Sequence, residues 1–295
     1  LTKKRYTIDV GEPVSIVDHG GEGPLIVCVH GLEGSALNWD LIAPKLTKTY
    51  RVIAPDLSGF GYTPPHAGGT SVGYNADVVR DVIDHFGGEA AVIGNSMGAL
   101  VSLITAVQYA DRVTSLVLID SAAPVHSLAG IHFPTSLRLS IPLVPWIGPR
   151  MIETYRSRIT VEQGVAEAMA FVSFDPKALD PMVIENATKI ATLRRTQPWS
   201  VDALVEATSS IAPYVIGRRR YASLIHRVTQ PTLIIHGTKD RLVNVSSAKW
   251  IGRQRPEWTV ALINDVGHVP MLEAPEKVNA IIEAWQTANL VTARP

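Results

Sequence analysis

One cysteine in 295 residues leaves nothing to pair with. A disulfide framework and a cysteine-based metal site are both excluded, which agrees with a reducing compartment. Cys28 lies within Leu25-Ile26-Val27-Cys28-Val29 and is expected as a small buried hydrophobe. Charge is sparse too, at 18% of residues, where soluble chains run nearer ~25%; the 27 basic and 27 acidic residues cancel. No basic stripe appears beyond Arg218-Arg219-Arg220, which reads as a solvated helix face, so no nucleic-acid partner is expected. No stretch approaches the ~18 consecutive apolar residues of a transmembrane segment. No apolar segment follows the opening Leu-Thr-Lys-Lys-Arg-Tyr, and a soluble, cytoplasmic protein is expected. Internal repeats and low-complexity tracts are missing as well, which excludes solenoids and disordered arrays.

What is present is an alternation of short apolar runs with helical patterns. Leu25 to Val29, Val52 to Ala54, Ala90 to Ile93 and Ser115 to Ile119 are nearly all apolar, as strands are when both sheet faces are covered. Between them Val78, Val79, Val82, Ile83 and Phe86 form one helical stripe that Gly87-Gly88 ends, and Met97 to Val107 is apolar almost all round. The rhythm returns with strands at Thr232 to Ile235 and Thr259 to Ile263, then a closing helix marked by Val278, Ile281, Ile282 and Trp285. The predicted fold class is α/β, a mostly parallel central sheet with helices on both faces. From about 122 to 225 the pattern is lost: Pro124, Pro134, Pro142, Pro145, Trp146 and Pro149 open a stretch that reads as several short helices. That stretch interrupts a regular fold. The expected division is therefore a core in two parts, 1–121 and 226–295, around an inserted helical cap at 122–225.

Directly after the strand Ala90 to Ile93 stands Gly94-Asn95-Ser96-Met97-Gly98, and a helix follows at once. A strand-to-helix turn this sharp needs glycine at its flanks, strains the serine and lifts its oxygen above the sheet. A serine hydroxyl is a weak nucleophile at neutral pH, so it needs a base, a carboxylate to orient that base, and donors for an oxyanion. His268, in Asp265-Val266-Gly267-His268, and Asp240, in Gly237-Thr238-Lys239-Asp240, both follow strands on the carboxyl edge where open α/β sheets bind ligands. Asp120, at the end of Ser115 to Ile119, is the competing carboxylate; Asp265 reads as a solvated turn. His30-Gly31-Leu32-Glu33-Gly34 follows its strand in the same way, and its Leu32 N–H is placed to act with the N–H of Met97, with His30 bracing the loop. Among the remaining histidines only His126 and His132 are spaced like ligands, and no metal is expected.

These motifs, with Asp56-Leu57-Ser58-Gly59-Phe60-Gly61, resemble the α/β-hydrolase fold family in its capped branch, over essentially the whole chain outside the cap. The resemblance implies Ser96 as nucleophile, His268 as base and then acid, Asp240 as orienting carboxylate, and the Leu32 and Met97 N–H groups as the oxyanion hole. Haloalkane dehalogenases and epoxide hydrolases of this fold need aspartate where this chain has Ser96. Acyl transfer to water remains, and the leading expectation is a serine hydrolase cleaving carboxylic esters of small, largely apolar substrates, without a cofactor. The alternative is C–C hydrolysis of ring-fission products. Gly-Asn-Ser-Met-Gly is similar to those elbows, and Arg194 and Arg195 are candidates to hold a substrate carboxylate. Against it stand Leu32-Glu33-Gly34 in place of a Ser-Gly-Pro-Gly-like loop, and Val269 in place of an aromatic residue. A ligand sensor that does not turn over is a third reading. The expected partner is a small-molecule substrate, and a homodimer stays open.

Overall fold

A computed structural model describes residues 3–124 and 147–292. Eight strands form one sheet: β1 (Lys4–Asp9), β2 (Pro13–Gly20), β3 (Leu25–Val29), β4 (Arg51–Pro55), β5 (Ala90–Asn95), β6 (Val113–Ile119), β7 (Thr232–Gly237) and β8 (Thr259–Ile263). Their spatial order is β1-β2-β4-β3-β5-β6-β7-β8. The first two pairings are antiparallel and all the others parallel. The six apolar runs read from sequence are β3 to β8. The hairpin β1–β2 was not anticipated, because Lys4-Arg5-Tyr6-Thr7-Ile8-Asp9 is an exposed edge strand with little apolar content.

The helices are α1 (Ala43–Leu46), α2 (Val72–His85), α3 (Met97–Gln108), α4 (Ile147–Arg158), α5 (Val161–Val172), α6 (Pro181–Thr196), α7 (Ser200–Ile216), α8 (Arg218–His226), α9 (Ser246–Gln254), α10 (Pro270–Glu273) and α11 (Pro275–Thr292). Successive strand residues face opposite ways, so each strand feeds two cores. Val27, Val29, Val92, Leu116, Leu118 and Ile234 pack with α2, α3, α8 and α9 on one face. Ile26, Cys28, Ile93, Val117, Leu233 and Ile235 pack with Trp39 and α11 on the other. Helix α3 is central as expected, with every residue from Met97 to Ala106 buried. Truncating fully buried Leu100 or Leu103 to alanine would cost about 2–5 kcal/mol.

Helix α2 ends where its glycines permit a left-handed turn: Gly87 has φ 135° and the Gly88 N–H reaches back to the Ile83 carbonyl at 2.9 Å. Between β6 and β7 the chain builds α4 to α8, of 9 to 17 residues each, longer than the short helices expected. Thr70, after β4, donates to the Ala203 carbonyl and to Glu206 on α7, while the His268 N–H donates to the Val172 carbonyl at the end of α5. These bonds tie the helical stretch to the carboxyl edge of the sheet. His126, His132, Pro134, Pro142, Pro145 and Trp146 lie outside the described residues. Among the described residues no helix is long and apolar enough to cross a membrane.

Candidate active site

The turn between β5 and α3 holds Ser96 at φ 55°, ψ −114°, a region that costs a non-glycine residue about 1–3 kcal/mol. Surrounding bonds over-determine it. The Ser96 N–H donates to the Ile119 carbonyl at 2.9 Å, and its own carbonyl accepts from Leu100 and Ala122 at 3.2 Å each. A Cβ at position 98 would lie 2.1 Å from the Val29 carbonyl oxygen, and one at position 94 would lie 2.4 Å from the Gly98 carbonyl oxygen. Strand β3 and helix α3 therefore approach so closely that only glycine fits. Met97 opens α3, so its N–H, like others of a first helical turn, has no partner within the helix.

The loop after β3 lies against this turn: a Cβ on Gly31 would stand 3.3 Å from the Ser96 Cβ. Leu32 follows, half-buried and lining the same cavity as Ser96. Fully buried His30 braces the loop, donating from Nδ1 to the Gly31 carbonyl at 2.8 Å and accepting at Nε2 from the Leu57 N–H at 3.0 Å. Burial above all lowers its pKa, which keeps the ring neutral in that role.

Asp240 and His268 come together. The His268 Nδ1–H donates to Asp240 Oδ2 at 2.7 Å, with both side chains buried. The other oxygen, Oδ1, accepts the N–H groups of Leu242 at 2.7 Å and Val243 at 3.0 Å, which fixes the carboxylate plane. Burial by itself would raise the Asp240 pKa; the adjacent His268 ring and its hydrogen bond outweigh burial and hold it below the usual carboxylate range. The His268 loop is pinned as well, because Glu273 accepts the N–H groups of Gly267 at 2.9 Å and Phe174 at 2.7 Å. Asp265 is solvated, 3.8 Å from Lys239.

Ser96, Leu32 and His268 all line one cavity of about 1050 Å³. Its walls are largely apolar, with Val165, Met169, Ile190, Leu204 and Leu272 among them. Arg156 on α4 and Arg194 on α6 are engaged with the loop after β3. Arg156 pairs with Glu33 Oε1 at 2.7 Å; Arg194 pairs with the same oxygen at 3.2 Å and donates to the Glu33 carbonyl. Arg195 donates to the Ile159 carbonyl at 2.7 Å. Arg194 and Arg195, the candidates to hold a substrate carboxylate, both line the cavity and both already hold partners within the protein. Asn95, the residue that suggested a ring-fission substrate, turns its amide inward to the Ile119 and His268 carbonyls, at 3.2 Å each.

Sequence reasoning missed a cluster behind Asp240, having treated His236 as isolated. One oxygen each of Asp120 and Asp240 and one ring nitrogen of His236 lie within 4.8 Å of one another, all buried. The signal was available: parallel pairing of Ile119 with Ile235 makes Asp120 and His236 the next neighbours in register. His236 Nε2 gives its hydrogen to the Val243 carbonyl at 2.8 Å and so has no lone pair for a metal there. His236 Nε2 also stands 3.3 Å from Asp120 Oδ1 and 3.6 Å from Asp240 Oδ2, so the three pack as one buried polar cluster.

A family model described as alpha/beta hydrolase fold matches residues 24–275. The chain is 27% identical to Lipase 3 of Moraxella sp. (strain TA144) over 93% of its own length and 81% of that protein's. It is 28% identical to the 2-hydroxymuconate semialdehyde hydrolase of Pseudomonas sp. (strain CF600), covering 94% and 92% of the two chains. Among solved structures, a thermophilic esterase from Thermogutta terrifontis superposes with a TM-score of 0.71 at 23% identity, covering 98% of this chain and 99% of that one. The 2-hydroxy-6-oxo-6-phenylhexa-2,4-dienoate hydrolase of Rhodococcus sp. strain RHA1 gives 0.74 at 20% identity, covering 97% and 99%. At these identities the structural likeness speaks to fold alone.

Proposed function

Since the chain belongs to the alpha/beta hydrolase fold family, we propose that it is a serine hydrolase cleaving carboxylic esters of apolar substrates, with Ser96, His268 and Asp240 as its catalytic residues. The observation that carries the reading is the apolar cavity fronted by both the strained Ser96 turn and the His268–Asp240 pair. His268 Nδ1 is committed to Asp240, which leaves Nε2 to take the Ser96 proton as the hydroxyl oxygen attacks the ester carbonyl. The Leu32 and Met97 N–H groups hold the oxyanion of the tetrahedral intermediate. His268 then returns the proton to the departing alcohol, leaving an acyl group on Ser96. A water molecule, deprotonated by the same ring, releases the acid.

The stretch 122–225 acts as the cap, and its described helices supply most of the apolar wall. An ester with apolar acyl or alcohol groups is favoured because each buried CH₂ contributes about 0.8 kcal/mol. The C–C bond reading has support from the ring-fission hydrolases among the relatives. A dianionic dienoate, however, needs cations that are free. Here Glu33 already engages Arg156 and Arg194, Arg195 and Arg241 on the same wall are bound to backbone carbonyls, and it is the largely apolar lining that favours the ester.

A panel of p-nitrophenyl esters of rising chain length, run beside a coloured ring-fission dienoate, tests the choice. Ester turnover that Ser96→Ala abolishes, with the dienoate keeping its colour, is the expected result. Full ester activity in Ser96→Ala refutes the nucleophile; bleaching of the dienoate at rates above the esters moves the assignment to C–C hydrolysis. Labelling of Ser96 by a fluorophosphonate separates an enzyme from a silent pocket.

A further inference from the structure

We propose that Asp120 is a positioning residue for this chemistry: a protonated carboxyl that hydrogen-bonds the Asp240 carboxylate from behind and shares its single negative charge. The inference rests on the reading of Asp240 and His268 given above.

Asp120 directly follows β6 with φ 44° and no exposed surface. Its backbone is locked, the N–H donating to the Ile235 carbonyl at 3.0 Å. One carboxyl oxygen, Oδ1, accepts the Gly237 N–H at 3.1 Å and lies 3.3 Å from His236 Nε2. The other, Oδ2, is buried and has no hydrogen-bond partner among the described residues. A carboxylate oxygen stranded in this way is costly, whereas a carboxylic O–H is a donor, and the neighbouring acid is Asp240, one oxygen of which lies within 4.8 Å of an Asp120 oxygen.

The groups around it agree. From β7 and the loop after it come His236 and Asp240; from the loop after β8 and from α10 come His268 and Glu273. Two of the four are acids. His236 already gives its Nε2 hydrogen to Val243, and His268 gives its Nδ1 hydrogen to Asp240, so neither is left to neutralise a second carboxylate. Burial first, and the Asp240 charge second, push the Asp120 pKa well above the carboxylate range. One proton on two neighbouring buried acids is the arrangement that like charges impose.

Two effects on His268 follow. The Asp120 hydrogen bond adds a third anchor to Asp240, beside the Leu242 and Val243 N–H groups, and so steadies the oxygen that orients the ring. It also draws charge away from Asp240 Oδ2. A less basic Asp240 stabilises the imidazolium less, so the ring gives up its proton to the departing group more readily.

The test compares Asp120→Ala with Asp120→Asn, whose amide N–H stands where the acid has its O–H. Asp120→Ala is expected to lower kcat about tenfold, the equivalent of one pH unit of interaction. KM should stay unchanged, and the acid limb of kcat/KM should move to higher pH. Asp120→Asn is expected to recover most of both losses. If Asp120→Asn is as damaging as alanine, the group acts as a carboxylate and the proposal fails. If Asp120→Ala moves neither kcat nor the acid limb, the role is purely structural. Infrared difference spectra keep the question answerable should the alanine variant not fold. A protonated-carboxyl C=O band at neutral pH, lost in Asp120→Asn, is expected; a wild-type spectrum without that band overturns the proposal. The band reports on Asp120 even if Ser96 proves not to be the nucleophile, so the two failures are distinguishable.

Discussion

Asp240→Asn changes one oxygen to an NH₂ group and should disable the protein without unfolding it. Asp240 uses both oxygens as acceptors, Oδ1 for the Leu242 and Val243 N–H groups and Oδ2 for the His268 Nδ1–H. An asparagine has one acceptor and must choose. Turning its NH₂ towards Leu242 and Val243 leaves two buried backbone donors unpaired, at about 1–3 kcal/mol each. Turning it towards His268 satisfies both backbone groups and requires the ring only to change tautomer. The second arrangement wins by roughly 2–6 kcal/mol, and Nδ1 becomes the acceptor. Nε2 then carries the hydrogen and cannot accept one from Ser96. The buried anion that would stabilise the imidazolium is gone too. Together these effects should lower kcat by about 10⁴, as loss of a triad carboxylate does in serine proteases. The assay is steady-state hydrolysis of a short p-nitrophenyl ester, with Ser96→Ala as baseline and a thermal melt by circular dichroism to confirm folding. A loss smaller than about tenfold in a folded Asp240→Asn protein would refute the tautomer argument.

Other perturbations have equally definite outcomes. Gly98→Ala places a methyl group 2.1 Å from the Val29 carbonyl oxygen, and backbone on both sides cannot give way; a loss above about 3 kcal/mol in urea unfolding is expected, and wild-type stability would show that the close approach does not exist. His19 is buried, and burial chiefly lowers its pKa to about 4. An unfolded histidine binds its proton near pH 6.5 whereas the folded one does not, so stability should fall by on the order of 3 kcal/mol as pH drops from about 6.5 to about 4. His19→Gln should flatten that stretch of the curve, and a wild-type curve already flat there contradicts the assignment. Asp120 has the opposite sign of coupling. Its raised pKa favours folding below the unfolded value near 3.9 and costs stability as pH rises above it. Asp120→Asn should therefore gain in Tm relative to wild type on going from pH 4 to pH 7.5, and an unchanged difference counts against a protonated Asp120. Glu33→Gln removes the charge that Arg156 and Arg194 share and should tighten inhibition by small carboxylates about tenfold, measured as Ki; an unaltered Ki would mean that the arginines do not face the ligand.

Local sequence was enough to establish most of the sheet. Strands β3 to β7 are buried on both faces and β8 keeps an apolar register, so their runs stand out in composition. The glycines around Ser96 are legible for the same reason: their requirement is a property of one sharp turn, contained in five consecutive residues. The β1–β2 hairpin escaped because an edge strand has no second face to bury and carries no such run.

Which charged groups meet was decided by tertiary structure alone. Asp120, Asp240 and Asp265 all follow strands, and sequence ranked them without being able to place them. Parallel pairing of β6 with β7 sets Asp120 behind Asp240, while Asp265 is left in solvent beside Lys239. Arg194 looked available in the sequence and is held by Glu33 in the fold, through 161 residues of separation. Periodicity and glycine spacing record what a segment needs from its own backbone and from burial. Pairing among distant side chains depends on how those segments are brought side by side, and no local pattern encodes it.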